Sequence, residues 1–170
     1  SIDKVGTGYT LAASATGLTG ATSSAFNITP ASASQLIVTT QPASSSVSGT
    51  SFGLVVTAKD ASGNVATGYT GSVSVAIGTN AGPGGALSGT ASVSAVAGVA
   101  TFSGLSIDKV GTGYTLAVSA AGLTGATSSA FNITPAAASQ LIVTTQPASS
   151  SVSGTSFGLV VTAKDASGNV

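Results

Sequence analysis

Apolar residues alternate with small or polar residues in several short stretches of this chain. In one of them, Phe52, Leu54 and Val56 occupy every second position, with glycine and valine between them. A period of two places successive side chains on opposite faces of a β-strand, so the pattern predicts strands with one face in a core. The stretches that show it are 36–38, 52–59, 72–77, 114–120 and 131–133.

Residues typical of tight turns lie between these stretches. The predicted turns are 60–64 (Asp-Ala-Ser-Gly-Asn), 78–85, 97–98 and 111–113 (Gly-Thr-Gly). A further strand over 99–107 contains Gly104, where we expect a bulge or bend. No segment has the three- and four-residue apolar spacing of a helix, so we predict an all-β chain with a mainly aliphatic core and no helix beyond a single turn.

The chain repeats itself at a spacing of 105 residues. Residues 1–65 reappear as 106–170, and the positions that differ are Ala13 against Val118, Thr16 against Ala121, and Ser32 against Ala137. This period is longer than a solenoid repeat and matches one immunoglobulin-like β-sandwich of about 100 residues. We therefore predict tandem immunoglobulin-like β-sandwich domains of about seven antiparallel strands each.

Proline marks the joints between these repeats, because it interrupts β pairing except at strand ends and edges. Pro30 and Pro135 each lie in an Asn-Ile-Thr-Pro-Ala motif. We expect one complete repeat over 34–137, the last strands of a preceding repeat in 1–33, and the first strands of a following one in 138–170. The flanking pieces lack a counterpart of 66–105, so we interpret the sequence as a window on a longer periodic chain. The alternative to a longer chain is a sequence with engineered ends. An intact mass of the source protein near 15.8 kDa would exclude a long polymer.

The amino-acid composition argues against several classes of function. The sequence has no His, Cys, Met or Trp, and it also lacks Glu and Arg. Proton transfer, nucleophilic attack and metal binding draw mostly on His, Cys and acidic residues, so we expect no enzyme, no catalytic residue, no cofactor and no metal site. The net charge is zero with 5% charged residues, which argues against nucleic-acid binding. No apolar run approaches the roughly 20 residues of a membrane span, so no membrane insertion is expected in this segment. We also expect no small-molecule substrate.

Short motifs carry a family resemblance. They are Val-Val-Thr-Ala-Lys-Asp-Ala-Ser-Gly-Asn-Val at 55–65, Ser-Val-Ser-Val-Ala-Ile at 72–77, Gly-Gly-Ala-Leu-Ser-Gly at 84–89 and Gly-Val-Ala-Thr-Phe at 98–102. With them the repeat resembles the bacterial immunoglobulin-like repeats of invasin- and intimin-type surface proteins. The resemblance implies a rod-forming module of the cell surface, often with a separate functional tip. These 170 residues contain no tip domain, so adhesive activity is not carried over.

Candidate sites in the repeat are few. Asp60 with Asn64 suggests a calcium loop, but calcium takes six to eight oxygen ligands and usually several carboxylates, so a turn bonded to its own backbone is favoured. Lys59 with Asn64 suggests an isopeptide bond, which would need a buried acid beside the pair. The neighbours Asp108 and Lys109, with their copies Asp3 and Lys4, would form either an interdomain contact or a solvated pair.

The remaining motifs are weaker. Asn27-Ile-Thr29 and Asn132-Ile-Thr134 match the N-glycosylation sequon, which arises often by chance in a threonine-rich chain. The glycine motifs at 6–8, 111–113 and 82–85 lack the lysine and the helix of a phosphate loop, so we interpret them as turns. Only Tyr69 falls outside the clear strand cores as an aromatic platform for a carbohydrate.

Function is predicted from the surface that such repeats present. Outward positions are mostly serine, threonine, alanine and glycine. Electrostatic repulsion between neighbouring chains is therefore weak. Our leading hypothesis is an extracellular or cell-surface structural protein whose repeats self-associate, with neighbouring repeats and lateral copies as partners, into a filament, sheath or surface-layer fibre. The alternative is a passive stalk of a large bacterial adhesin that presents a distal binding domain. A carbohydrate-binding module is a weaker hypothesis.

Overall fold

The computed structural model describes residues 1–170, and all of its regular structure is β-strand, as predicted. The strands of residues 1–33, here the N-terminal segment, are β1 (Gly6–Tyr9), β2 (Ala12–Ala13), β3 (Ala21–Thr22) and β4 (Phe26–Ile28). The next ten strands form the central sandwich: β5 (Gln35–Thr40), β6 (Ser45–Val47), β7 (Phe52–Lys59), β8 (Ser72–Thr79), β9 (Leu87–Ser88), β10 (Ser92–Ser94), β11 (Val99–Ile107), β12 (Gly111–Ser119), β13 (Ala126–Thr127) and β14 (Phe131–Thr134). Residues 138–170, the C-terminal segment, contain β15 (Gln140–Thr145) and β16 (Val160–Lys164).

Two sheets face each other in the central sandwich. The smaller sheet has the order β5-β7-β11-β9, and the larger has the order β10-β8-β12-β14-β6, with β13 paired to β12. This arrangement confirms the predicted immunoglobulin-like sandwich. Two details differ from the prediction. Ten strands are present instead of about seven, because β6, β9, β10 and β13 have only two or three residues and are too short to show alternation. The pair β6 and β14 is parallel, an exception among antiparallel neighbours.

The alternating stretches supply the core. Their inward residues join one cluster of sixteen buried side chains, contributed by both sheets. Three of these are aromatic, namely Phe102, Tyr114 and Phe131, and the others are aliphatic, as the composition predicted. The Phe131 ring lies 5.4 Å from that of Phe52 in an edge arrangement. Burial of each large side chain stabilises the sandwich by about 1.5–3 kcal/mol.

The predicted irregularity at Gly104 is a β-bulge. The pairing of β11 with β7 shifts register between Phe102 and Leu105, and Gly104 lies there with a φ of 73°. The bulge turns the strand so that both Phe102 and Leu105 point into the core, although they are three positions apart. Strict alternation would have placed one of them outside.

The Tyr114 side chain ties β12 to the segment that precedes it. Its ring is fully buried, and its hydroxyl donates a hydrogen bond to the backbone carbonyl of Lys109 at 2.9 Å. Tyr9 makes the equivalent bond to Lys4 in the N-terminal segment. A tyrosine bonded to backbone a few residues upstream is a recurrent corner of immunoglobulin-like folds. Burial raises the pKa of Tyr114 above its ordinary value, which extends the pH range over which the hydroxyl remains a donor.

Replacing Tyr114 with phenylalanine is expected to lower the free energy of unfolding by about 1 kcal/mol. The ring would keep its packing, but the Lys109 carbonyl would lose a partner in a partly buried place. Urea unfolding followed by far-UV circular dichroism measures the change. Tyr69→Phe is the matched control, because Tyr69 is only half-buried and should change stability by less than about 0.5 kcal/mol. Equal effects of the two substitutions would contradict the role given to the Tyr114 hydroxyl.

Candidate functional site

All eight charged residues of the chain lie in two clusters at the ends of the central sandwich. The first contains Asp3, Lys4, Lys59 and Asp60, and the second contains Asp108, Lys109, Lys164 and Asp165. Hydrogen bonds connect the segments of the chain within each cluster. We call them the first joint (residues 3–5 with 59–64) and the second joint (residues 108–110 with 164–169).

The turn of the first joint is organised by the carboxylate of Asp60, whose side chain is 2% exposed. It accepts hydrogen bonds from the backbone N–H groups of Ser62 at 3.0 Å and Asn64 at 2.9 Å, and from the Asn64 side-chain amide at 3.0 Å. This is the locally bonded turn that the sequence favoured. The carboxylate also accepts the backbone N–H of Ala31 at 3.1 Å, so it holds the linker just after Pro30.

These donors favour the ionised carboxylate. The side-chain hydrogen bond from Asn64 is the main cause that holds the pKa of Asp60 below its ordinary value; burial opposes it, and the backbone donors reinforce it. Asp165 has a lowered pKa for the same reasons, with Asn169 as its main partner. Because its pKa is lower in the folded state, each carboxylate stabilises the fold at pH values above the unfolded-state pKa of about 3.9. This stabilisation is lost as the pH falls through the folded-state pKa. The carboxylates of both turns are therefore ionised at neutral pH.

The side chain of Asn64 extends from the turn to the N-terminal segment. Its Nδ2 donates to the backbone carbonyl of Asp3 at 2.8 Å, and its Oδ1 accepts the backbone N–H of Val5 at 3.3 Å. Lys4, between these two residues, donates from Nζ to the carbonyl of Ser62 at 3.1 Å. The first joint is thus bonded in both directions across 58 to 61 positions of sequence.

The second joint repeats this arrangement 105 residues later. Asn169 donates from Nδ2 to the carbonyl of Asp108 at 2.9 Å and accepts the N–H of Val110 at 3.2 Å. Lys109 donates from Nζ to the carbonyl of Ser167. Ser48 of the central sandwich adds a hydrogen bond from Oγ to the Asp108 carbonyl at 2.7 Å. Two joints with the same bonds make a regular connection between successive pieces of the chain.

Sequence reasoning found these residues but missed how they are used. The Asp-Lys neighbours were predicted either to contact another domain or to be solvated, and the structure shows a contact with a turn about 60 positions away; the domain boundaries stay a prediction. It is made by the backbone of Asp3 and Asp108 together with the lysine ammonium groups. The sequence carried one signal of this contact, because Asp-Lys-Val and Asp-Ala-Ser-Gly-Asn both recur at the same spacing.

One turn prediction is wrong. The Gly-Thr-Gly motifs at 6–8 and 111–113 are the first residues of β1 and β12. The pairing of β12 with β14 shifts register between Thr112 and Tyr114, and Gly113 has a φ of 92°. Glycine here accommodates a bulge inside a strand, whereas the sequence suggested a turn between strands. The motif at 82–85 is a turn as predicted, closed by a hydrogen bond from the Gly85 N–H to the Gly82 carbonyl. The predicted turn over 78–85 begins too early, because Gly78 and Thr79 are the last residues of β8.

Other candidates are placed as follows. The sequon residues Asn27 and Asn132 lie in β4 and β14, and each Oδ1 accepts a backbone N–H from the neighbouring strand. Lys59, the candidate for an isopeptide bond, is the last residue of β7. Tyr69 is half-buried against the core and lines an open cavity of about 320 Å³ beside the linker. Its ring is therefore not a free-standing platform.

No helix of the structure has the length and apolar character needed to cross a membrane. Likewise, the structure contains no group of three or more acidic, histidine or cysteine side chains placed to hold a metal ion.

Comparison with known proteins gives structural likeness only. No protein-family description matches the sequence, and no curated protein does so significantly. Domains 4–9 of the surface layer protein SbsC align with 20% identity and a TM-score of 0.45 over 90% of this chain and 23% of that one. The Escherichia coli adhesin FdeC aligns with 20% identity and a TM-score of 0.46 over 85% of this chain and 45% of that one. SbsC domains 4 and 5 align with 16% identity and a TM-score of 0.39 over 76% and 66%. This chain spans about a quarter of the first structure and less than half of the second.

Proposed function

We propose that this chain is part of an extracellular, non-enzymatic structural protein whose immunoglobulin-like repeats self-associate into a filament, sheath or surface-layer fibre. The proposal divides the chain into a complete repeat at 34–137 and partial repeats at 1–33 and 138–170. It places the protein at the cell surface because the repeat motifs resemble those of bacterial surface proteins. Its partners are neighbouring repeats in the same chain and lateral copies of that chain.

The observation that carries the proposal is the position of the charges. No charged residue occurs between residues 61 and 107 or between residues 5 and 58, so the charge of the central sandwich is confined to its two joints. A charged group at a protein–protein contact must lose water or meet an opposite charge, and like charges repel. A contact made through the sides of this sandwich has no such cost, because no charged residue lies there.

The outer face of the larger sheet is one of these uncharged sides. Ser72, Ser74 and Ala76 of β8 are exposed, beside Ser92 and Ser94 of β10. The hydroxyl of Ser92 is hydrogen-bonded to that of Ser72 at 2.9 Å and to that of Ser74 at 3.2 Å. Because these side chains are short and bonded to one another, a second sheet can approach closely and little side-chain entropy is lost.

A single charge on this face tests the proposal. The mass-average molar mass of the chain, measured by sedimentation equilibrium, is expected to rise with concentration above 15.8 kDa. Ser74→Asp is expected to weaken this association at least about tenfold, because the new carboxylate must be desolvated at the contact. Thr101→Asp is the matched control, since Thr101 is exposed on β11 of the smaller sheet, and it should leave association unchanged.

Two outcomes would count against lateral assembly. A chain that stays monomeric at high concentration would favour the passive stalk, which needs only end-to-end contacts. Association that Ser74→Asp does not change would assign it to other surfaces, such as the large apolar side chains exposed in the C-terminal segment. There Leu141 is 75% exposed and Phe157 is 70% exposed.

A further inference from the structure

The Asn169 side chain at the second joint pairs with backbone in the way that a β-strand would. One primary amide presents a donor and an acceptor side by side, and here they engage the carbonyl of Asp108 and the N–H of Val110. These two groups flank Lys109, in the bend between β11 and β12, and both reach the same amide. The amide of Asn169 therefore recognises a stretch of backbone, whatever side chains that stretch carries.

The carboxylate of Asp165 positions this amide. It accepts hydrogen bonds from Asn169 Nδ2 at 2.8 Å and from the backbone N–H of Asn169 at 2.9 Å. The asparagine is therefore held both at its backbone and at its side-chain amide. The same carboxylate accepts the N–H of Ala136 at 3.2 Å, in the linker that follows Pro135. One buried group thus holds the linker and the recognising amide in a fixed relation.

The lysine completes the contact from the opposite direction. Lys109 donates to the carbonyl of Ser167 in the turn, and both residues are half-buried. The first joint has the same bonds among the corresponding residues, which lie 105 positions earlier in the other copy of this sequence. The arrangement therefore recurs wherever the turn and the Asp-Lys-Val segment recur.

We propose that the turns 60–64 and 165–169 are docking sites for the backbone of the preceding repeat, and that they fix one orientation at every joint. The partner of each turn is the Asp-Lys-Val segment of the repeat before it. The inference rests on the division into repeats proposed above, but it does not require lateral association. A chain that never associates laterally would still have rigid joints, so the two proposals fail separately.

Cleavage by trypsin tests the docking site, because the chain has four lysines and no arginine. Trypsin must bind the lysine side chain in its specificity pocket, and at the second joint both the Lys109 ammonium and the following Val110 N–H are already bonded. Asn169→Ala is expected to speed cleavage of the Lys109–Val110 bond at least about tenfold, since the open joint becomes more populated. The fragments are timed by mass spectrometry of the full chain.

Two references distinguish an open joint from a loosened fold. Cleavage after Lys59, where β7 meets the first joint, reports opening away from the second joint, and its rate should not change in Asn169→Ala. Asn80→Ala is the matched control, because it removes an amide-to-carbonyl bond within the central sandwich, from Asn80 to Gly85. It should leave cleavage after Lys109 unchanged. Unaltered cleavage after Lys109 in Asn169→Ala, or equal acceleration after Lys59 and Lys109, would overturn the proposal.

Orientation is measured directly with a pair of spin labels. The chain contains no cysteine, so T101C and T145C place labels on exposed positions of β11 and β15, on either side of the second joint. Pulsed electron resonance is expected to give one narrow distance distribution, which becomes at least twofold broader when Asn169→Ala is added. A distribution that is equally broad with and without Asn169 would show that the turn does not fix the orientation.

Discussion

Replacing Phe102 with alanine is expected to lower the free energy of unfolding of the central sandwich by about 3–5 kcal/mol. Phe102 is 1% exposed and lies on β11, between β7 and β9 in the smaller sheet. Its ring belongs to the core shared by both sheets, so alanine would leave a cavity that the surrounding strands close only in part. Ordinary domains are stable by about 5–15 kcal/mol, and this loss is a large fraction of that range.

The measurement is urea unfolding followed by far-UV circular dichroism, with Thr101→Ala as the control. Thr101 is the preceding residue on the same strand, but it points outward and is exposed. Its truncation should change stability by no more than about 0.5 kcal/mol. A loss below about 1 kcal/mol for Phe102→Ala would mean that β11 is not at the centre of the sandwich.

Replacing Gly89 with alanine is expected to cost about 2–4 kcal/mol, from two causes that add. Gly89 has a φ of 102°, which side-chain-bearing residues rarely adopt, and an added Cβ would lie 2.3 Å from the backbone oxygen of Gly104. The strained backbone costs about 1–2 kcal/mol, and displacing the bulge at Gly104 costs a similar amount. Because the obstacle is backbone, no side chain can rotate away to relieve it.

Gly122→Ala separates these two causes. Gly122 has a φ of 75°, but an added Cβ would meet nothing within 4 Å. Alanine there should cost only about 1–2 kcal/mol, the penalty of a left-handed backbone alone. Thermal unfolding of both variants under the same conditions gives the comparison. If Gly89→Ala were no more harmful than Gly122→Ala, the close approach of Gly89 to the bulge would be refuted.

Much of the fold is predictable because burial in a β-sandwich has a simple local signature. Leu54, Val56 and Ala58 alternate along β7, and all three are 1% exposed. The bulge at Gly104 was also predictable, since a lone glycine inside an otherwise regular strand commonly marks a bulge. The same reasoning failed for Gly111 and Gly113, because a glycine pair at the start of a strand has the composition of a turn.

The candidate site was predictable only in its parts. Sequence reasoning identified Asp60 and Asn64 as a locally bonded turn, and Asp3 and Lys4 as a candidate contact. It could not bring them together, since a bond from an asparagine amide to a carbonyl 61 positions away has no periodic pattern. Backbone groups also carry no residue identity, so the carbonyl of Asp3 and the N–H of Val5 could not be singled out from the sequence.

By itself the sequence determined the all-β class, the 105-residue repeat and most of the core. Each of these depends on the spacing of apolar residues along a strand or on direct identity between two stretches of chain. Only the tertiary structure decided the parallel pairing of β6 with β14, the burial of Asp60 and the bonds across the two joints. Those features depend on which distant segments meet and on the direction in which their polar groups point, and both are set only when the two sheets pack around one core.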